Sequence, residues 1–189
     1  MRIISGSYKG RRLKSTVGPG FRPAMGKVRE ALFSMLQARG LSWPEAWVLD
    51  LFAGSGSLGF EALSRGAAFA CFVESAPYAA RVIQANAALL GADGERMRLC
   101  LEDAAGFLAK PPDQAFSLVF IDPPYGFASL ERILFALVKN SFVAPGSLVN
   151  AEVEAKLDFE PENIHPAFQI QSDRSYGQTR LILWETRKT

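Results

Sequence analysis

From residue 47 onward, short apolar runs alternate with longer amphipathic stretches. Residues 47–52, 68–73, 96–101, 116–121, 147–153, 167–171 and 179–184 have strand length and composition, and the pattern predicts seven strands. Between the first five, the apolar spacing turns helical. Helices are expected over 57–65, with Gly66 as cap, and over 77–90, opened by Pro77 and closed by Gly91. A short helix reaches Leu108 before Lys110-Pro111-Pro112, and another ends near Lys139. Pro145-Gly146 reads as a turn into the fifth strand, and residues 173–178 as the loop of a closing hairpin. Strands alternating with helices imply βαβ crossovers, hence an α/β fold with a doubly wound, mainly parallel seven-stranded sheet and an antiparallel edge.

The first 44 residues follow a different pattern. Residues 2–7 and 11–16 suit a small β-hairpin, with Gly6 and Gly10 in its turn. Gly18-Pro19-Gly20 breaks the chain, and Met25, Val28, Leu32, Met35 and Leu36 then recur at helical spacing over 24–39. Gly40 and Pro44 end that helix. The expected division is a hairpin-and-helix extension over 1–44 and a main domain over 45–189.

Composition narrows the class. With 49% hydrophobic and 21% charged residues the chain suits an ordinary soluble globular protein, and no apolar run approaches the roughly 20 residues of a membrane span. The start, Met1-Arg2-Ile3-Ile4-Ser5-Gly6, has no long apolar core, so no signal peptide is expected and a cytoplasmic location is. Cys71 and Cys100 lie in apolar runs without a metal-ligand spacing, and His165 is the one histidine. No metal site is expected. Charge is uneven: residues 1–30 hold eight Lys and Arg against Glu30 alone, while the rest holds 13 basic against 18 acidic. A basic arm on a mildly acidic body points to a polyanion, and Arg2, Lys9, Arg11, Arg12, Arg22 and Arg29 are the candidates to meet nucleic-acid phosphates.

Two motifs stand at strand ends. Gly54-Ser55-Gly56-Ser57-Leu58-Gly59 matches G-x-G-x-x-G between the first strand and its helix, the context of a nucleotide-binding turn. Asp50, just before it, would repel a pyrophosphate but suits the ammonium of S-adenosylmethionine (SAM). Glu74 ends the second strand, where an acid can pair with ribose hydroxyls, and Asp103 follows the third, within reach of an adenine amino group. Both also precede helices, where a carboxylate favours the helix N-terminus. No hydride-transfer set accompanies the loop, which favours SAM over a nicotinamide cofactor. The second motif is Asp122-Pro123-Pro124-Tyr125, after the fourth strand. By itself it reads equally well as an ordinary turn. Beside a SAM loop it reads as an acceptor site: a carboxylate, a stiff Pro123 carbonyl and a ring.

This last stretch is similar to the (D/N/S)PP(Y/F) motif of class I methyltransferases acting on amino or amide nitrogens. Arg2–Gly6, Lys9–Leu13, Arg22-Pro23, Val28–Phe33, Leu49–Gly59, Glu61–Ala67 and Phe120–Tyr125 together resemble the RsmD family, 16S ribosomal RNA guanine-N2 methyltransferases. The likeness is dense to Tyr125 and thinner from Ser129 onward. Ala24 and Gly26-Lys27 depart from the family's usual Thr and Asp-Arg near the expected substrate mouth. The resemblance implies a Rossmann-like fold and SAM-dependent methylation of a guanine N2 in small-subunit rRNA. It implies Asp122, Pro123 and Tyr125 at the acceptor, Asp50, Phe52, Gly54, Gly56 and Glu74 around SAM, and Asp103 at its adenine. A monomer is expected. The rival readings are a DNA adenine-N6 or other amino-nitrogen methyltransferase and a non-catalytic RNA-binding module on the same fold.

Overall fold

The apolar runs become strands β1 (Trp47–Leu51), β2 (Phe69–Glu74), β3 (Met97–Leu101), β4 (Phe116–Ile121), β5 (Val143–Glu154), β6 (Phe168–Tyr176) and β7 (Thr179–Thr186). Helices α1 (Pro23–Ala38), α2 (Ser57–Ser64), α3 (Pro77–Leu90), α4 (Ala104–Leu108) and α5 (Leu130–Lys139) separate them, with a 3₁₀ turn at Trp43–Glu45. The computed structural model describes residues 1–16, 23–92, 94–124, 126, 129–162 and 164–187.

The seven strands form one sheet in the order β3-β2-β1-β4-β5-β7-β6. The first five pair in parallel, and β7 inserts antiparallel between β5 and β6. This is a doubly wound Rossmann-like sheet with an antiparallel edge. The winding reverses between β1 and β4, and in such sheets ligands bind at the carboxyl ends beside that switch. Helices α1, α2 and α3 cover one face, with Phe33, Phe60 and Ile83 packed against Leu118, Phe120 and Phe72. Helices α4 and α5 cover the other, where Leu108, Leu134 and Leu137 meet Leu49, Val119 and Trp184. Each such fully buried large side chain contributes about 1.5–3 kcal/mol. No helix among the described residues is long and apolar enough to cross a membrane.

Three boundaries differ from expectation, each for a local reason. The amino-terminal hairpin has only one bridge, Arg2 with Arg12. Ile3 and Leu13 still donate across it, to the Arg11 and Met1 carbonyls at 3.1 and 2.9 Å, but other amides turn to the body: Ile4 and Ser5 donate to the Glu61 carboxylate at 2.7 and 3.1 Å, and Lys14 donates to Asn86 Oδ1 at 2.7 Å. Strand β5 starts at Val143, so Pro145-Gly146 is an irregularity inside a strand and not a turn before one. Ser147 bridges it, accepting from the Ala144 amide at 3.0 Å and donating to the Phe116 carbonyl at 2.8 Å. The closing loop shrinks to Gly177-Gln178, because β6 runs on to Tyr176 and Arg180 grips Asp173 at 2.5 Å.

Ile3, Leu13, Val28, Leu32 and Leu36 from the first 44 residues join the same core as β4. Glu61, wholly buried in α2, fastens that arm to the body and also accepts from Arg65 Nε at 2.9 Å. Gly6 lies so close that an added Cβ would fall 1.7 Å from the Ser64 carbonyl oxygen. Cys71 and Cys100 are both free thiols.

Candidate active site

Strand β1 ends at Leu51, and the chain must reverse at once to begin α2. Phe52 takes φ 60°, Gly54 57° and Gly56 76°. For glycine these angles cost little; for Phe52 the left-handed conformation costs roughly 1–2 kcal/mol, the sort of strain stored at ligand sites. An added carbon on Gly56 would stand 2.7 Å from Phe60 Cε2, and one on Gly59 2.3 Å from Phe72 Cε1. Those two glycines let α2 lie directly on β2. At Gly54 the nearest atoms would be 3.9 and 4.0 Å away, so there the backbone stays open to a ligand.

Three carboxylates fix this loop and its neighbours. Asp50 is 1% exposed and accepts from the Gly59 amide in the first turn of α2 at 2.9 Å. Desolvation pushes its carboxyl up to about 7, the Gly59 bond opposes the rise, and Glu74 adds to it. Asp50 therefore supports the loop from beneath. Glu74 accepts from the Gly54 amide and the Ala76 amide, both at 2.8 Å, tying the β1 turn to the β2 turn. Asp103, exposed, caps α4 by accepting from the Gly106 amide at 2.9 Å. It also lines a groove of about 460 Å³ between α4 and α5, together with Phe52, Ala104, Leu108, Ser129 and Ile133.

Phe52 also walls a smaller cavity of about 140 Å³, where Gly54 and Ser55 meet Arg29, Asp122 and Glu152. Asp122 follows β4, its amide still bonded to the Leu51 carbonyl at 3.4 Å. Its side chain opens to the cleft. Desolvation by the protein around it, then Glu152 and Asp50, push its carboxyl well above the usual range. Burial raises Glu152 as well, and Arg29 opposes that rise. Pro123 is buried and Pro124 exposed. The Gly126 amide returns to β5 by donating to Glu154 Oε1 at 2.7 Å. Tyr125 lies outside the described residues, as does Arg22.

The basic candidates do not act as one group. Arg29 is a correction: expected to meet phosphate, it is only 8% exposed, because the arm crosses over it. It donates to Met1 Sδ and to the Arg2 carbonyl, and burial pulls its guanidinium below the ordinary value. Arg11 is exposed but holds the Leu89 and Leu90 carbonyls at the end of α3, each at 3.1 Å. Arg2 donates to the Gly10 carbonyl at 3.2 Å. Lys9 and Arg12 are exposed, with no side-chain partner among the described residues. Glu152, which its place near the end of the fifth strand offers in the sequence as a residue facing the substrate, belongs to the acidic centre of the cleft. The available signal was the period of two along β5: Leu148, Asn150 and Glu152 share the face of Leu118, Phe120 and Asp122.

The family model described as conserved hypothetical protein 95 matches residues 1–185. The chain is 36% identical over 165 residues to ribosomal RNA small subunit methyltransferase D of Haemophilus influenzae, covering 86% of this chain and 84% of that one. It is 35% identical over 187 residues to the protein of the same name in Escherichia coli K12, covering 98% and 89%. The solved structure of Escherichia coli yhhF matches with a TM-score of 0.85 at 32% identity, over 100% of this chain and 99% of that one.

Proposed function

The chain belongs to the RsmD family of methyltransferases, and from that premise we propose that it methylates the exocyclic N2 of a guanine in small-subunit (16S) ribosomal RNA, with SAM as donor. The observation that carries this reading is one cleft: the open Gly54 backbone and the Asp122 carboxyl, without a hydrogen-bond partner among the described residues, line the same cavity of about 140 Å³. The residues fit the donor. Glu74, tied to the Gly54 amide, and the Asp50 carboxyl beneath the loop make its surroundings acidic, which suits an ammonium and a sulfonium and opposes a pyrophosphate. Gly54, Gly56 and Phe52 would hold its amino-acid end, Glu74 its ribose, and Asp103 with the α4–α5 groove its adenine.

SAM, when bound, supplies a methyl already activated on sulfonium sulfur, so the protein's work is alignment. The N2 lone pair of guanine is delocalised into the ring. Asp122 and the Pro123 carbonyl accept its two hydrogens, drawing the nitrogen toward tetrahedral geometry and aiming the lone pair. As the N–C bond forms and the methyl's bond to sulfur breaks, leaving a neutral thioether, N2 would shed a proton to the Asp122 carboxylate, whose raised affinity for protons suits that task. Tyr125 is the ring on which the extruded base stacks. Residues 45–189 are the transferase domain, and residues 1–44 are an RNA-contacting extension built into its core. Its exposed Lys9 and Arg12 meet phosphates.

The test is transfer of tritiated methyl to small ribosomal subunits, naked RNA, DNA and protein, followed by digestion to nucleosides. N2-methylguanosine from the RNA arms is expected. Label in N6-methyladenine or in protein, or no label at all, overturns the reading.

A further inference from the structure

The chemistry above uses one carboxylate, yet the cleft holds two. Phe120 pairs with Asn150 and Ile121 with Ala151, so Asp122 and Glu152 come next at the same level of adjacent strands. Both line the same cavity. Among the described residues, neither side chain accepts a hydrogen bond or forms an ion pair. Arg29 lines the cavity too, 8% exposed, and its Nε has no hydrogen-bond partner among the described residues. Buried polar groups are ordinarily paired, so an orphaned guanidinium nitrogen beside two open carboxylates marks a place for a ligand with polar edges.

Base chemistry identifies that edge. Guanine presents N1–H and N2–H₂ as adjacent donors. Adenine and cytosine each set a ring-nitrogen acceptor beside the amino group, so a second carboxylate would oppose a lone pair with a lone pair. Two carboxylate acceptors side by side therefore match guanine alone among these three. We propose that Glu152 is the specificity-determining residue: its carboxylate accepts the N1–H of guanine while Asp122 accepts the N2–H. This deepens the reading given above and rests on it. Arg29 is a positioning residue that lines the same cavity, and its charge opposes the rise that burial gives the Glu152 carboxyl.

The experiment compares two RNAs, after the modified position has been mapped with the wild-type protein. Splinted ligation builds small-subunit RNA carrying either guanine or 2-aminopurine there. 2-Aminopurine keeps the amino group but has an acceptor at N1. Wild-type protein should prefer guanine in kcat/KM by about 10²-fold or more. In Glu152→Gln the amide can donate to N1 of 2-aminopurine, and the preference should shrink to within about tenfold. The ratio is taken within one protein preparation, so partial misfolding cancels, and the missing O6 affects both proteins alike. If the variant turns over neither RNA, the same ratio is read from their affinities in the presence of S-adenosylhomocysteine. A ratio unchanged from wild type overturns the role of Glu152 and leaves the methyltransferase reading intact. Wild-type protein that labels no guanine N2 overturns both.

Discussion

Asp50 carries a carboxyl where burial resists charge, and this has a measurable sign. Its folded value, about 7, lies above the unfolded 3.8, with desolvation the main cause. Between those values the folded chain holds a proton that the unfolded chain has released. Stability is therefore lost as pH rises from about 4 to about 7, by at most about 1.4 kcal/mol per unit. Asp50→Asn removes this loss while keeping an acceptor for Gly59. Urea midpoints of the variant should match wild type near pH 4 and exceed it at pH 8, while donor affinity falls. Asp122 is raised in the same direction, but its substitution should separate catalysis from donor binding. Asp122→Ala should lower methyl transfer at least about 10²-fold and leave calorimetric donor affinity within about threefold of wild type. The glycines and acids at strand ends were legible in the sequence because strand–loop–helix boundaries are local. The burial of Arg29 was not, because it depends on Met1 and Arg2 crossing a helix that begins some twenty residues later.

At the scale of elements, α2 is held in place by what Gly59 lacks. Gly59→Ala forces a methyl against the buried Phe72 ring and should cost about 1–3 kcal/mol, with weaker donor binding because the loop moves with the helix. Gly26→Ala is the contrast. Gly26 lies within α1, with open space at its Cβ position, so denaturant unfolding should find the variant more stable by about 1 kcal/mol. Helices α2 to α5 and strands β1 to β4 lie within a residue or two of the pattern in the sequence, since glycines, prolines and apolar periodicity bound them. Strands β5 and β6 outran it. Their ends are set by pairing with β7, and Pro145-Gly146 reads locally as a turn although Ser147 and Thr186 carry the strand through it. The arm's hairpin forms but is shorter than its pattern: nothing near Ile4 announces that Glu61 will take its amide.

For the whole molecule, charge and core divide the work. Residues 1–30 hold the basic surplus, yet Ile3 and Leu13 of that stretch are buried with α1 and α2. Deleting the arm would unfold part of the body, so charge reversal is the cleaner probe. Lys9→Glu with Arg12→Glu should weaken RNA binding, reduce the slope of log affinity against log salt by about two, and leave the melting temperature and donor affinity near wild type. Equal loss of RNA and donor binding would mean that the arm serves the fold alone.

The bonds that fasten the arm to the body span long stretches of chain. Ser5 and Tyr8 wait for partners 56 residues ahead, Lys14 for one 72 ahead, and Arg11 for carbonyls 78 and 79 ahead. Closing such spans costs entropy before any bond offsets it. The arm is thus among the last parts to be fixed. In refolding, deuterium pulses should find the amides of Ile4 and Lys14 still exchanging after those of β1 and β4 are protected.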